Sequence, residues 1–374
     1  MSFFEQVELD STFTIDKPRS NGPQSLSVEE YLLEDGSVMS FPIVHAIQTS
    51  MAQDTSLDHE YLPIAGLESF TKASMKLILG NTSSVVENRV VTIQTLSDVG
   101  GLRVAAEFLN KFLRLNVVSI PNTMPKEVHE VFESRGYIVH TIPYWNETKK
   151  TIDLEAIKYH LSVLNDGGLV LLENCGRNWS GDYLSESEWN EIIKIILEKN
   201  LFLILNAAQD GLCYTDLKND HYPARKLADH GAEFIVTQSF DRSLGLYSER
   251  VGSMTLVVKE SREIFTICWS QTKRIFLTTK KDTITMSNCK SQVERIIRAL
   301  YSNPPSHGAR IVSYVLNNAS FLREWKANLK LIRMRLKSIR KELFEKLRLK
   351  GTPGRWDHLL RQRGLYSALG LTRK

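Results

Sequence analysis

The stretch "QSFDRSLGLYSERVG", Gln238 to Gly252, sets Arg242 and Arg250 in a polar, glycine-containing turn directly after the apolar run Phe234 to Val236. A short apolar run bounded in this way reads as a buried strand. The two guanidiniums then stand at a strand end, where ligands of open sheets bind. A guanidinium stays protonated and delocalised at any accessible pH, so it can grip a phosphate or carboxylate but is neither a nucleophilic amine nor a proton shuttle. The chemistry open to this turn is the holding of an anion.

A second stretch, "TLSDVGGLRVAAEFL", passes from a strand end through Ser97 and two glycines into a helix. Free backbone N–H groups and the positive helix end would there face an anion. The alternative is a capped helix in which Ser97 or Asp98 satisfies its own amides. The nine histidines show no metal-ligand spacing, and Cys175, Cys213, Cys268 and Cys289 form no CxxC pair, so no metal is assigned.

Positioning such groups requires a framework, and its pattern is regular. Val90 to Leu96, Tyr137 to Tyr144, Gly168 to Glu173, Leu201 to Leu205 and Phe234 to Gln238 are short apolar segments suited to strands buried on both faces. Between them lie helical patterns: "DLEAIKYHLSVL", with Leu154, Ile157, Leu161 and Leu164 in step, and "SESEWNEIIKIILEK", where Ser185 and Glu188 form a capping box. Alternating strand and helix implies an α/β protein with a mostly parallel sheet. Towards the end, Leu329, Ile332, Leu336, Ile339, Leu343 and Leu347 mark one face of a long helix whose lysines and arginines form the wet face.

The chain has 374 residues and a net charge of +4 from 47 basic and 43 acidic side chains, a balance that gives no argument for nucleic acid or a membrane surface as partner. No apolar run approaches the ~20 residues of a membrane helix, and the start lacks a signal pattern. A cytoplasmic protein is expected.

Five segments, "DTSLDHEYLPIAGLESF", "TLSDVGGLRVAAEFL", "QSFDRSLGLYSERVG", "YSNPPSHGARIV" and "GTPGRWDH", together resemble the cytosolic aspartate aminotransferases, enzymes of fold type I that use pyridoxal 5'-phosphate (PLP). The resemblance runs in family order over most of the chain. It implies a large domain with a seven-stranded, mostly parallel sheet flanked by helices, plus a shortened small α+β domain. The expected division is an arm and small-domain portion over 1–39, a PLP-binding-type domain over 40–330 with an extra segment near 266–289, and a C-terminal helix with small-domain residues over 331–374. The family's reaction moves the amino group of L-aspartate to 2-oxoglutarate.

The resemblance puts the family's Schiff-base lysine at Arg242, so covalent attachment of PLP is not expected. It puts an aspartate that pairs with the ring nitrogen at Asn206; the amide can hydrogen-bond that nitrogen but supplies no charge to keep it protonated. Gln209 falls at a tyrosine, Pro125 near a stacking tryptophan and Glu29 at a substrate-side glycine. Ser97, Ser239 and Arg250 match phosphate ligands, Asn178 matches an asparagine near the ring hydroxyl, and Tyr61 matches a tyrosine given by the neighbouring subunit. Asp98 and Val99 replace a glycine and a threonine, and a carboxylate beside a phosphate is repelled by ~1–4 kcal/mol per charge pair at about 4 Å.

Arg298 matches the arginine that reaches across a dimer to the distal carboxylate of a dicarboxylic amino or keto acid. The arginine expected on the α-carboxylate would lie beyond Lys374. A homodimer, or a heterodimer with an active paralogue, is implied. Two readings follow: an impaired transaminase, or a pseudoenzyme that binds an anion or a partner. Each matched residue also has a structural reading, with Arg250 paired to Glu249 or Asp210, Ser239 a strand-end hydrogen bonder, and Tyr61 and Arg298 interface packing.

Overall fold

A computed structural model describes residues 31–33, 35–80, 89–174, 179–213, 217–259, 265–270, 273–278 and 281–369. The chain divides into two units, Met1–Met39 and Ser40–Lys374. Within the first, Leu32 and Val38 form an antiparallel bridge.

The second unit is built on a sheet of β1 (Val90–Leu96), β2 (Val117–Pro121), β3 (Ile138–Ile142), β6 (Leu169–Glu173), β7 (Phe202–Ala207), β8 (Phe234–Ser239) and β9 (Val251–Val257). Two-residue strands β4 (Trp145–Asn146) and β5 (Thr151–Ile152) make a separate ladder. The seven strands run in the order β1-β9-β8-β7-β6-β2-β3, and only the pairs that β9 makes with β1 and β8 are antiparallel. This is the expected seven-stranded, mostly parallel α/β sheet. The five strands read from the sequence are present with ends shifted by one or two residues, and β2 and β9 are additions to that reading.

Alternate residues of each strand serve opposite faces. Leu203, Leu205, Phe234 and Val236 pack with Ile78, Ile157, Ile192 and Leu227 from the helices Glu68–Leu79, Leu154–Val163, Glu186–Glu198 and Tyr222–Asp229. Ile204, Ile235 and Met254 pack on the other side with Val104, Leu109, Phe132 and Ile297 from the helices Ser97–Leu113, Lys126–Glu133 and Lys281–Leu300. Burial on both faces explains why these strands read as continuous apolar runs rather than alternating ones. Each such side chain contributes about 1.5–3 kcal/mol.

Local signals set the helix starts. Ser185 and Glu188 form the capping box, and Asp153 accepts from Ala156 N to open Leu154–Val163. The segment near 266–289 contains an antiparallel hairpin, Phe265–Ser270 with Lys273–Thr278, followed by the start of Lys281–Leu300.

The helix Ala319–Leu349 runs unbroken through residue 330. Its buried residues are Trp325, Leu329, Ile332 and Arg340, while Ile339 is 48% exposed, which corrects the expected apolar face. Neighbours on a helix point about 100° apart, so burying Arg340 turns Ile339 outward. Arg340 is held by acceptors: its Nε donates to Ser367 Oγ (2.8 Å), and its Nη2 to the carbonyls of Gly364 (2.6 Å) and Tyr366 (3.0 Å).

Candidate functional site

The sheet register assembles the site. Leu96 pairs with Val251 and Ser239 with Gly252, so the carboxyl ends of β1 and β8 meet the amino end of β9. Ser97, Ser239 and Arg250, each one residue from or at a strand end, are brought together from three segments.

Ser97 and Arg250 are both non-glycine residues in the left-handed region, with φ of 62° and 49°. Such positions cost about 1–3 kcal/mol each and persist where their surroundings fix them. Gly252 passes close against this turn: a Cβ there would lie 2.8 Å from Ser97 Cα.

Ser97 Oγ lies 2.6 Å from Asp241 Oδ2, 2.9 Å from Asp98 Oδ1 and 3.0 Å from Ser239 Oγ. A hydroxyl has one proton to give, and the shortest of these contacts is to Asp241. Arg250 Nη1 donates to the same Oδ2 at 2.8 Å, and Asp241 N donates to Ser239 Oγ at 3.2 Å. Ser97, Asp98, Ser239 and Asp241 are buried, whereas the Arg250 side chain is 43% exposed. The ion pair read from the sequence as Arg250 with Glu249 or Asp210 is thus made with Asp241. Asp210 instead accepts from Gln238 Nε2 (2.8 Å) and faces His221 Nε2 at 3.3 Å.

Burial pushes the Asp241 carboxyl up from its ordinary pKa; the Arg250 cation and the Ser97 hydroxyl pull it back, the Asp98 charge pushes it further up, and Arg242 lowers it. Asp98 lies in the first turn of Ser97–Leu113, where a carboxylate faces the positive helix end. The residue at the cap is Leu96, with no side-chain cap bond, which replaces the reading of Ser97 or Asp98 as a cap of that helix. The serine hydroxyl is turned to side chains across the sheet end.

Arg242 follows at the end of β8 and is 3% exposed. Its turn is folded by Leu244 N to Phe240 O (3.1 Å) and Leu246 N to Asp241 O (2.8 Å). The helix Ala319–Leu349 supports it, since Trp325 Nε1 donates to Ser243 O at 2.7 Å.

Asn206, buried near the end of β7, donates from Nδ2 to Asp98 Oδ2 at 3.4 Å and accepts from Thr237 Oγ1 at 3.1 Å. Gln209 Oε1 accepts from Leu365 N at 3.1 Å. Asn178 and Glu29 lie outside the described residues. Pro125 is the residue before the helix Lys126–Glu133.

Tyr61 and Arg298 belong to a different locality. Tyr61 is 85% exposed; Arg298 Nη1 donates to Ser302 Oγ (2.7 Å) and Asn303 Oδ1 (2.8 Å), and Asn303 Nδ2 donates to the carbonyl of Leu62, the residue after Tyr61, at 2.7 Å. Among the described residues no hydrogen bond joins this pair to Ser97, Ser239 or Asp241.

Asp241 is the residue that sequence reasoning missed. It stands in the same turn, beside Arg242, but its partners Ser97 and Arg250 lie directly after β1 and directly before β9, and only the sheet register brings them together.

The seven-stranded, mostly parallel sheet with its site-bearing turn between β8 and β9 is an aminotransferase framework: the chain belongs to the aminotransferase class I and II family, whose model matches residues 24–374. Its relatives within that family include aspartate aminotransferases. It is 33% identical over 350 residues to the cytoplasmic aspartate aminotransferase of Caenorhabditis elegans, covering 93% of this chain and 80% of that protein. It is 32% identical over 368 residues to aspartate aminotransferase 1 of Medicago sativa, covering 98% and 83%. The aspartate aminotransferase from Saccharomyces cerevisiae cytoplasm superposes with a TM-score of 0.89 at 29% identity, covering 99% of this chain and 88% of that one. An aromatic-amino-acid aminotransferase from Burkholderia pseudomallei, covalently bound to pyridoxal phosphate, superposes at 0.86 with 27% identity, covering 100% and 89%. No helix among the described residues is long and apolar enough to cross a membrane.

Proposed function

We propose that this chain is a non-catalytic member of the aspartate aminotransferase group, one that keeps the framework and has lost the covalent cycle. The observation that carries the reading is Arg242, buried at the end of β8 where the resemblance places the reactive lysine. A permanently charged guanidinium cannot form the imine that an amine forms, nor shuttle the α-proton.

PLP supplies an electron sink when bound in enzymes of this family, and that chemistry needs partners on its ring. Asn206 offers the ring nitrogen no negative charge, and its amide is engaged by Asp98 and Thr237. Gln209 accepts from Leu365 N. The residues present do not fit the group.

Borohydride reduction of the purified protein with added PLP, followed by peptide mass spectrometry, tests this directly. No adduct at residue 242 is expected. An adduct there, or conversion of L-aspartate and 2-oxoglutarate by this chain alone, overturns the reading. The second reading, a weak aspartate transaminase, is favoured by the gathering of Ser97, Ser239 and Arg250 at one sheet end.

The assembly proposed is a cytoplasmic homodimer, or a heterodimer with an active paralogue, with Tyr61 and Arg298 at the subunit boundary. The exposure of Tyr61 and the link from Arg298 through Asn303 to Leu62 support it. Sedimentation of the purified chain as a two-chain species is expected, and a monomer at micromolar concentration removes both residues from any site.

A further inference from the structure

We infer that the anion cup at the end of β1, β8 and β9 is closed by the protein's own Asp241, which takes the place of a phosphate group, and that Asp241 makes this cup reject phosphates. This goes beyond the loss of the reactive amine, because it concerns a different set of atoms. A cup with Arg242 as lysine would still be shut.

The Ser97 hydroxyl, the Arg250 guanidinium, the positive end of the helix Ser97–Leu113 and the Ser239 hydroxyl could bind a phosphate here. The first three are already engaged by a carboxyl of this chain, and Ser239 Oγ accepts from the Asp241 N–H. Asp241 Oδ2 lies 2.6 Å from Ser97 Oγ and 2.8 Å from Arg250 Nη1, the two donors converging on one oxygen. Asp98 sits in the first turn of the helix, its Oδ1 2.9 Å from the same hydroxyl.

Both acids are buried, so neither is swung into water at small cost when an anion arrives. The Asp241 backbone N–H is also committed, to Ser239 Oγ at 3.2 Å. An incoming phosphate would have to displace Asp241 from Ser97 and Arg250 while lying beside two acidic side chains. The occupied donors oppose it whether Asp241 is ionised or protonated, since a carboxyl oxygen accepts in both states.

Inorganic phosphate is the suitable probe, because it has no aldehyde and reports the cup independently of the chemistry at residue 242. Thermal unfolding of the full chain with and without about 10 mM phosphate reads binding as a raised midpoint. The wild-type midpoint is expected to stay unmoved. Asp241→Ser is expected to bind phosphate about tenfold tighter or more, from loss of one carboxyl and release of two donors. Asp241→Asn, similar in shape but uncharged, is expected to fall between the two.

Wild type binding phosphate as tightly as Asp241→Ser overturns the inference. Should the serine variant not fold, the asparagine variant and phosphorus NMR titration of the wild type still decide it, since sub-millimolar phosphate binding by the wild type contradicts a closed cup. A borohydride adduct at residue 242 would overturn the non-catalytic reading; phosphate bound by the wild-type cup would overturn this one. The two can fail separately.

Discussion

Gly252 lies against Ser97 so closely that a Cβ on the glycine would be 2.8 Å from the serine Cα, and the β8–β9 turn closes on the end of β1 only because that side chain is missing. Gly252→Ala is therefore expected to destabilise the protein by about 1–3 kcal/mol, the usual cost of overpacking, since the obstacle is backbone and cannot rotate away. Urea unfolding of the variant measures it. A change within experimental scatter would mean that the two strands separate freely here.

Arg242→Lys restores an amine at the end of β8 but leaves Asp241 bonded to Ser97 and Arg250. The single variant is expected to give no borohydride-fixed PLP adduct, and the double variant Asp241→Ser, Arg242→Lys is expected to give one. Equal labelling of both would show that the phosphate cup does not limit access. Adding Asn206→Asp is expected to increase turnover only in the double-variant background.

Trp325 ties the long C-terminal helix to the turn that carries Arg242, through its bond to Ser243 O at 2.7 Å. Trp325→Phe removes a hydrogen bond worth about 1 kcal/mol and leaves a carbonyl without it. Trp325→Ala also leaves a large void and is expected to cost about 3–5 kcal/mol. Chemical denaturation of the two variants separates these terms, and equal losses would assign the whole effect to the bond.

Burial lowers the pKa of His129, His160 and His358 from 6.5. The unfolded chain then takes up protons first as the pH drops, so their contribution is fully present above 6.5 and is lost as the pH falls through the folded values. The urea midpoint is expected to decline as the pH falls below about 6.5. His160, which lies 3.0 Å from Ser119 Oγ, is one source: His160→Gln should flatten the decline. An unchanged slope in that variant would place the effect elsewhere.

The framework was legible because buried parallel strands must be apolar throughout, and such runs stand out at Leu169–Glu173 and Phe234–Ser239. Val251–Val257 escaped since Gly252, Ser253 and Thr255 interrupt the run: Gly252 lies against the backbone of Ser97 and Gln238, and Ser253 and Thr255 bond to Gln238 and Thr92 on the neighbouring strands. Capping at Ser185 was legible because it is local. The partner of Arg250 was not, because Asp241, nine positions earlier, is set against it by a turn whose shape depends on strands remote in sequence. Arg340 was hidden for a related reason: a polar residue among leucines reads as solvated unless the carbonyls that receive it, at 364 and 366, are known.

The convergence of Ser97 and Arg250 on an internal carboxyl has a consequence for how the molecule matures. Enzymes that wait for a prosthetic group leave ribosome and chaperone with an electrostatic gap to be filled from a vitamin pool. Here Asp241 supplies a carboxyl where Ser97 and Arg250 meet; on the proposed non-catalytic reading the sheet end is then complete at the moment of synthesis, and shortage of vitamin B6 is expected to leave this chain's abundance untouched.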